Sequence, residues 1–191
     1  MIDHFYKNIE GWFSDLHAKE FSLIIKKIDN NANWVEVGSF KGKSLSFSIV
    51  ESILQKKNIN FFAVDTWDKD ITGPGMAKDK HVISGNLYDA FLKNTKLLQN
   101  KFIHYRQESI IASKNFKDNS IDVLYIDAAH DYDSVYDDCN YWFPKMKASG
   151  VMIFDDYHKK WGVWQAVQDF AKEKTLKIVQ KKELAFIDLK K

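Results

Sequence analysis

Residues 33–44 read Asn-Trp-Val-Glu-Val-Gly-Ser-Phe-Lys-Gly-Lys-Ser, an apolar run followed by a glycine-containing turn. The apolar run predicts a buried strand over 33–38, and the amphipathic stretch after the turn predicts a helix over 42–56. Glycine permits a tight turn and a close approach of the backbone to a ligand. Because a helix N-terminus offers free N–H groups and a positive dipole end, this turn suits an anion such as a phosphate or a carboxylate.

The rest of the chain repeats this alternation of short apolar runs and amphipathic stretches. Further strands are predicted at 60–65, 101–106, 121–127, 150–155, 175–180 and 183–189, and further helices at 85–98, 132–147 and 161–173. Such alternation is typical of an α/β protein whose mostly parallel sheet is covered by helices on both faces. Since only a short link joins the last two strands, we expect them to pair antiparallel.

Length and composition exclude several classes of protein. The 191 residues predict a single domain over 1–191, with an N-terminal helical segment at 1–30 and the core at 31–191. A net charge of +2 argues against a strongly basic nucleic-acid module. No apolar run is long enough to cross a bilayer, and the first residues have no apolar signal core. The single cysteine, Cys139, excludes an internal disulfide and favours a reducing compartment, most simply the cytoplasm.

The glycine turn matches neither of two phosphate-binding patterns. A P-loop has four residues between its first glycine and Gly-Lys-Ser/Thr, whereas Gly38 and Gly42 enclose three. The dinucleotide fingerprint requires glycine at position 40, which is Phe. A purely structural turn and a nucleotide hydrolase therefore stay open as alternatives for this segment.

Asp65 ends the second predicted strand. A carboxylate at this position can accept hydrogen bonds from a ribose diol, as in nucleotide-binding α/β folds. The alternative is that Asp65 caps a turn beside Thr66. Together with the glycine turn, Asp65 favours a nucleoside-containing ligand whose other end carries a carboxylate.

Three acids follow two neighbouring predicted strands. Asp127 ends the strand at 121–127, and Asp155 and Asp156 end the next one. In a parallel sheet these carboxyl ends share one edge, where the carboxylates would repel one another without a cation. Oxygen ligands of this kind suit Mg²⁺, so the sequence predicts a magnesium site formed by Asp127, Asp155 and Asp156. The alternative is that Asp155 and Asp156 only cap the following helix.

His130 lies three residues beyond Asp127 and is a candidate general base. A purely structural hydrogen bond is its alternative role. His158, just after the acids of the next strand, is a second candidate base. The other histidines have neither acidic company nor metal-ligand spacing; they are His4, His17, His81 and His104.

Two further regions attract functional interpretations. The long irregular segment at 66–84 contains Gly73-Pro74-Gly75 and is either functional or a surface insertion. The N-terminal aromatic residues can serve a homodimer or can cover the sheet as core; they are Phe5, Tyr6, Trp12 and Phe13. Candidates for lining a ligand pocket are Trp67, Tyr157 and Trp161.

Taken in order, these segments resemble the class I S-adenosylmethionine-dependent methyltransferases, and more narrowly the macrocin-type and related sugar O-methyltransferases. The resemblance covers roughly residues 30–173 and departs from the family at 148–150, where the family often has Pro-Gly-Gly. The matching segments are 35–44, 63–67, 126–132, 142–144, 149–151, 155–157 and 162–167. It implies a Rossmann-like, seven-stranded, mostly parallel sheet with helices on both faces and an antiparallel last strand.

The resemblance also assigns roles to individual residues. It places the methionine end of the cofactor among Gly38, Ser39, Gly42 and Ser44. It assigns the ribose hydroxyls to Asp65 and the adenine side to Thr66, Trp67 and Ser109. Glu36 and Asp127 complete the cofactor set that it implies. Asp127, Asp155 and Asp156 would match the Mg²⁺ ligands of the metal-dependent members, and His130 would match their base.

The implied reaction is methyl transfer from S-adenosylmethionine to an oxygen of a small sugar-like or phenolic acceptor. In this reading Mg²⁺ lowers the pKa of the acceptor hydroxyl and His130 removes its proton. The segment at 66–84 and Trp161 would then exclude water from the site. The alternatives are a P-loop-like nucleotide hydrolase and a non-catalytic module that binds S-adenosylmethionine.

Overall fold

The computed structural model describes residues 2–68 and 76–190. Its strands are β1 (Ala32–Val37), β2 (Ile59–Asp65), β3 (Phe102–Arg106), β4 (Ile121–Ile126), β5 (Met146–Phe154), β6 (Ile178–Lys181) and β7 (Leu184–Asp188). Its α-helices are α1 (Asp15–Lys27), α2 (Lys43–Leu54), α3 (Lys80–Ile83), α4 (Leu87–Thr95), α5 (Ser109–Ser113), α6 (Tyr132–Trp142) and α7 (Gly162–Glu173). Short 3₁₀ helices cover Tyr6–Asn8, Lys96–Leu98 and Phe143–Lys145.

The seven strands form one sheet in the order β3-β2-β1-β4-β5-β7-β6. The first five are parallel to one another, whereas β7 runs antiparallel to β5 and β6 antiparallel to β7. The predicted Rossmann-like, mostly parallel fold is therefore confirmed. In the central strand, Val37 pairs with Val64 on one side and with Ile126 on the other. Gly38, Asp65 and Asp127 consequently leave the sheet at the same level, at the edge where ligands bind in such folds.

Side chains of the central strands alternate between two apolar clusters, as the period of a strand requires. Along β4, Val123 and Tyr125 pack into the cluster that also contains the buried residues of α1, α2 and α4. Leu124 and Ile126 pack into the opposite cluster, with the buried residues of α6 and α7. The sheet is thus covered by helices on both faces, and a site can form at the edge where Gly38, Asp65 and Asp127 leave the strands.

The structure corrects two predicted boundaries near Pro144. The helix predicted over 132–147 ends at Trp142, because proline favours the short 3₁₀ helix Phe143–Lys145 over continued α-helix. The strand predicted over 150–155 begins earlier, at Met146, and its pairing with β4 shifts register between Ile121 and Val123. The irregularity is confined to the first half of β5. From Val123 and Val151 onward the two strands pair in regular register to their carboxyl ends.

The segment predicted as irregular at 66–84 contains the short helix α3, whose N-cap Asp79 accepts a hydrogen bond from the backbone N–H of His81. Gly73-Pro74-Gly75 lies outside the described residues. Among the N-terminal aromatic residues, Tyr6 and Phe13 are buried in the core, whereas Trp12 is 70% exposed. Within residues 2–68 and 76–190, the helices lack the combination of length and apolar character that a membrane span needs.

Candidate active site

The turn between β1 and α2, residues 38–42, is called here the cofactor turn. Its backbone has positive φ at Gly38 (91°), Phe40 (45°) and Gly42 (81°). A Cβ at Gly38 would lie 1.9 Å from the carbonyl oxygen of Asp127, and one at Gly42 would lie 2.6 Å from Cγ2 of Thr95. Both positions therefore require glycine, and Gly38 brings the turn into direct contact with the end of β4.

Two buried polar atoms at this turn have no hydrogen-bond partner among the described residues. They are Oε2 of Glu36 and Oγ of Ser39. The other carboxylate oxygen of Glu36 accepts a hydrogen bond from Ser44 Oγ at 3.0 Å. Burial raises the pKa of Glu36 to about 8; the nearby hydroxyls of Ser39 and Ser44 oppose this increase, and the negative charges of Asp127 and Asp65 add to it. Because native proteins rarely leave buried polar atoms unsatisfied, these two atoms indicate a place for the polar groups of a ligand.

Asp65 lies at the end of β2, beside the cofactor turn. Its carboxylate accepts hydrogen bonds from the backbone N–H groups of Phe40 and Trp67, each at 2.8 Å. Burial raises the pKa of Asp65, although these N–H groups oppose the increase. Each oxygen can accept a further hydrogen bond, so the geometry leaves the predicted contact with a ribose diol available.

Trp67 does not form an open pocket wall. It is 2% exposed, packs against Phe91 at a ring separation of 4.4 Å, and donates its Nε1–H to the carbonyl of Phe40 at 2.7 Å. The predicted pocket residue Tyr157 is likewise buried, and its hydroxyl lies against Gln168. These two aromatic residues are core residues because their polar groups find partners inside the protein.

The hydroxyl of Ser109, predicted to contact adenine, is already hydrogen-bonded to other side chains of the protein. This hydroxyl donates to Asp138 and accepts from Nε1 of Trp142 at 2.8 Å. Burial raises the pKa of Asp138 to about 7. The structure therefore assigns the Ser109 hydroxyl to a buried network between α5 and α6. Thr66, beside the predicted ribose acid, accepts a hydrogen bond from Arg106 Nε through its carbonyl oxygen at 3.3 Å.

Lys43 also departs from the P-loop alternative. Its Nζ donates to the carbonyl of Gly11 at 2.8 Å, on the N-terminal segment, instead of reaching over the turn. A P-loop lysine must contact the phosphates of its nucleotide. The position of Lys43 gives no support to the hydrolase alternative.

Across the edge of the sheet from the cofactor turn, Asp127, His130 and Asp156 come together. One ligand atom from each lies within 4.8 Å of the others. Nε2 of His130 is 3.3 Å from Oδ2 of Asp156 and 3.9 Å from Oδ1 of Asp127. All three residues are half-buried. In this arrangement, called here the acidic cluster, two carboxylates and one imidazole lie side by side.

The electrostatics of the acidic cluster favour bound protons or a cation. Burial, followed by the charge of Asp155, raises the pKa of Asp127 to about 7. The neighbouring carboxylate of Asp127, and then that of Asp156, raises the pKa of His130. Oxygen ligands of this kind, with one imidazole beside them, suit Mg²⁺ or Mn²⁺.

Asp155, the third predicted magnesium ligand, does not join the cluster of three. Its Oδ2 accepts hydrogen bonds from Nε2 of His17 at 2.9 Å and from the hydroxyl of Tyr125 at 2.7 Å. Its Oδ1 accepts the backbone N–H of Asp156 at 2.8 Å. Burial alone would raise the pKa of Asp155, but the hydrogen bond and charge of His17 outweigh burial and lower it. Tyr125 connects Asp155 to the cluster, since its hydroxyl also lies 3.1 Å from Oδ2 of Asp127.

The sequence prediction that His4 and His17 have no acidic neighbour was wrong. Nε2 of His4 lies 2.8 Å from Oε2 of Glu51, and His17 contacts Asp155. His17 occupies the third position of α1, where Oγ of the N-cap residue Ser14 lies 2.7 Å from its Nδ1. The signal available in the sequence was this helix-capping spacing, in which a side chain three residues after a serine bonds back to the cap. Nothing local identifies Asp155 as the second partner of the ring.

Two further residues predicted for the site, Trp161 and His158, lie near the acidic cluster. The side chain of Trp161 is partly exposed beside His130, whereas His158 contacts Asp156 through its backbone and not through its ring. Trp161 is 41% exposed and lies 5.6 Å from the His130 ring. Gly162 follows it, and a Cβ there would lie 2.2 Å from the backbone nitrogen of Tyr132, so α7 starts against the loop that carries His130. His158 is exposed and contacts Asp156 through a backbone hydrogen bond at 2.7 Å. The geometry thus favours His130 over His158 as the group beside the acids.

Comparison with known proteins gives a family and a fold. The profile of a family described as methyltransferase domain matches residues 35–157. Uncharacterized protein R132 of Acanthamoeba polyphaga mimivirus is 27% identical over 152 residues, which are 75% of this chain and 63% of that protein. Uncharacterized protein y4gI of Sinorhizobium fredii is 29% identical over 109 residues, which are 54% of this chain and 11% of that protein. This chain therefore spans less than two thirds of the length of either relative.

Solved structures of methyltransferases share the fold. The O-methyltransferase NovP superposes with a TM-score of 0.71 at 12% identity, covering 91% of this chain and 79% of NovP. A Bacillus cereus O-methyltransferase in complex with S-adenosylhomocysteine gives 0.63 at 13% identity, covering 95% and 85%. CalS11, a TDP-rhamnose 3'-O-methyltransferase, gives 0.59 at 14% identity, covering 91% and 77%.

Proposed function

Because the chain belongs to the methyltransferase domain family and is a class I S-adenosylmethionine-dependent methyltransferase, we propose that it methylates an oxygen of a small hydroxylated acceptor. The observation that carries this proposal is the meeting of the cofactor turn and the acidic cluster at Gly38, which packs on the backbone of Asp127. A hydroxyl held at the cluster would therefore face a ligand held at the turn.

The residues at the cofactor turn fit S-adenosylmethionine. The unpartnered atoms of Glu36 and Ser39 can satisfy the ammonium and carboxylate of its methionine end. Asp65 can accept hydrogen bonds from its ribose hydroxyls while keeping both backbone contacts. When bound, the cofactor supplies the electrophilic methyl group. The protein contributes the orientation of the two reactants and a site from which water is excluded.

The acidic cluster fits a divalent cation together with a proton acceptor. Asp127 and Asp156 would hold Mg²⁺, and His130 would take the proton of the acceptor hydroxyl. When bound, the cation lowers the pKa of a coordinated hydroxyl. Asp155, predicted from the sequence as a third ligand, would instead help to position Asp127, because the hydroxyl of Tyr125 hydrogen-bonds to both carboxylates. Trp161 offers a flat apolar surface beside His130, which suits the ring of a sugar or a phenol.

Several of the fold neighbours methylate oxygen, which supports oxygen as the methylated atom in this proposal. NovP and the Bacillus cereus protein are O-methyltransferases, and CalS11 methylates a hydroxyl of TDP-rhamnose. For this chain we propose a small-molecule acceptor, with no nucleic acid or membrane partner. The single cysteine, which is buried, supports a cytoplasmic location.

The test uses S-adenosylmethionine with a labelled methyl group and a panel of sugars, sugar nucleotides and catechols, with Mg²⁺ or with EDTA. We expect label on at least one acceptor oxygen, and at least a hundredfold loss of rate for Asp156→Asn and for His130→Gln. Asp118→Asn, at the amino end of β4, is the matched control and should keep full activity. Full activity of Asp156→Asn in EDTA would refute the proposed role of the divalent cation. Transfer of the label only to nitrogen or carbon would refute O-methylation.

A further inference from the structure

Lys41 lies in the cofactor turn between Phe40 and Gly42, and its side chain is 2% exposed. Its Nζ donates to Oε2 of Glu10 at 2.8 Å and to Oδ2 of Asp79 at 2.5 Å. Burial alone would lower the pKa of Lys41, but the hydrogen bonds and charges of Asp79 and Glu10 outweigh burial and raise it. The ammonium group therefore stays charged inside the protein, compensated by two carboxylates.

The two carboxylates come from different parts of the chain. Glu10 lies in the N-terminal segment, outside the residues 35–157 that match the methyltransferase domain. Asp79 is the N-cap of α3 and follows the segment after β2. Lys80 also donates to Glu10, at 3.1 Å, so the N-terminal segment is held at two points. A single buried charge thus fastens both flanking segments to the turn.

The turn that Lys41 fastens is strained. Phe40 has a positive φ although it is not glycine, whereas Gly42 adopts its positive φ without strain. The strained conformation of Phe40 persists only where the surroundings hold it. Here the surroundings are the carboxylate of Asp65, the indole of Trp67 bonded to the Phe40 carbonyl, and the amide of Asn94 bonded to the Lys41 carbonyl at 3.0 Å. The ion pairs of Lys41 with Glu10 and Asp79 are further contacts that hold the turn in this conformation.

We propose that Lys41 is a positioning residue for S-adenosylmethionine. Its clasp with Glu10 and Asp79 keeps the cofactor turn in the conformation that binds the cofactor. Lys41 itself does not touch the ligand, because its ammonium points into the two carboxylates. The cofactor affinity of this enzyme consequently depends on Glu10, a residue that lies outside its matched domain.

The test measures S-adenosylhomocysteine binding by calorimetry, which needs no acceptor and is therefore independent of the proposed O-methylation. Lys41→Met keeps the length of the side chain and removes the charge, and we expect at least tenfold weaker binding. Lys41→Arg should recover binding to within about threefold, since it restores the charge. Lys147→Met is the matched control, because Lys147 also has an ion pair, with Asp122 at 2.8 Å, but at the opposite edge of the sheet. It should bind normally.

Hydrogen exchange separates positioning from general loss of structure. In Lys41→Met the amides of residues 39–42 should exchange faster while those of β4 stay protected. Binding of Lys41→Met within twofold of the unsubstituted protein would overturn the proposal. Should Lys41→Met fail to fold, two other variants keep the lysine. Glu10→Gln removes the ion pairs of Glu10 with Lys41 and Lys80, and Asp79→Asn removes the ion pair of Asp79 with Lys41. About threefold weaker binding by each, and more than tenfold by the pair, is expected; unchanged binding by the pair would overturn the proposal equally.

Discussion

Nε2 of His17, on the first helix, lies 2.9 Å from Oδ2 of Asp155, 138 positions further along the chain. His17 is 4% exposed and Asp155 is 8% exposed, so water cannot replace either partner. The N-terminal helix is therefore fixed directly to the edge of the sheet that carries the acidic cluster.

Replacing His17 by alanine should destabilise the protein by about 2–3 kcal/mol, because it leaves a buried carboxylate without one of its donors. Urea unfolding at pH 7 would measure the loss. His158→Ala, which removes an exposed histidine ring, should stay within about 0.5 kcal/mol of the unsubstituted protein. Equal stability of the two variants would show that the contact contributes little.

Asp138 should make stability depend on pH. Burial raises its pKa to about 7 in the folded protein, whereas the unfolded pKa is near 3.9. Between these values the folded protein holds a proton that the unfolded chain has lost, so stability falls as pH rises from about 4 to 7. Asp138→Asn removes this loss and should be more stable than the unsubstituted protein by about 2–4 kcal/mol at pH 8.

Urea unfolding of Asp138→Asn at pH 5, 6.5 and 8 measures this effect. The matched control is Asp133→Asn, since Asp133 is an exposed acid on the same helix and its charge is not among those that raise the pKa of Asp138. The stability gain of Asp138→Asn should grow with pH, whereas Asp133→Asn should show no such trend. A gain that is the same at all three pH values would contradict the raised pKa of Asp138.

Gly38→Ala tests the contact between the cofactor turn and β4. The new Cβ would lie 1.9 Å from a backbone oxygen of Asp127, and φ is 91°, so the backbone must move. We expect the free energy of unfolding to fall by more than about 2 kcal/mol. We also expect the variant to lose its binding of S-adenosylhomocysteine. Gly150→Ala is the control, because its nearest neighbour is the flexible end of Met146 at 2.8 Å. It should lose less stability and keep its affinity in calorimetry.

The sequence predicted the sheet well because each central strand carries its own signal. β1, β2 and β4 are short apolar runs buried on both faces, and each ends in a glycine or an acid that marks the open edge. The signal is weaker in the first half of β5, where residues 148 and 149 are exposed. The sequence pattern therefore predicts residues 146 and 147 as the end of the preceding helix and starts the strand only at residue 150. Pro144 alone indicated the boundary between them.

The site was predictable only where its residues follow strands directly. Asp65, Asp127 and Asp156 reach the edge because their strands place them there. His17 and Lys41 could not be placed, because their partners lie far along the chain and only packing brings them together. Asp155 was assigned to the cluster by the same strand rule, but His17 draws its carboxylate into another set of bonds.

Glu36→Gln tests the polar end of the cofactor site. In the free protein the pKa of Glu36 is about 8, so the carboxyl group carries a proton at pH 7. The ammonium group of S-adenosylhomocysteine favours the ionised form, so binding should release a proton, and affinity should rise several-fold from pH 6.5 to 8.5. The glutamine side chain cannot ionise. Its variant should bind about tenfold more weakly at pH 8.5 and lose most of the pH dependence.

Calorimetry in buffers of different ionisation enthalpy measures the proton release directly. The unsubstituted protein should release close to one proton more per ligand at pH 7 than Glu36→Gln does. Asp65, whose pKa burial also raises, is present in both proteins, so the difference isolates Glu36. Glu173→Gln, an exposed acid on α7, should behave as the unsubstituted protein. Equal proton release by Glu36→Gln would mean that the orphaned oxygen of Glu36 does not face the ligand.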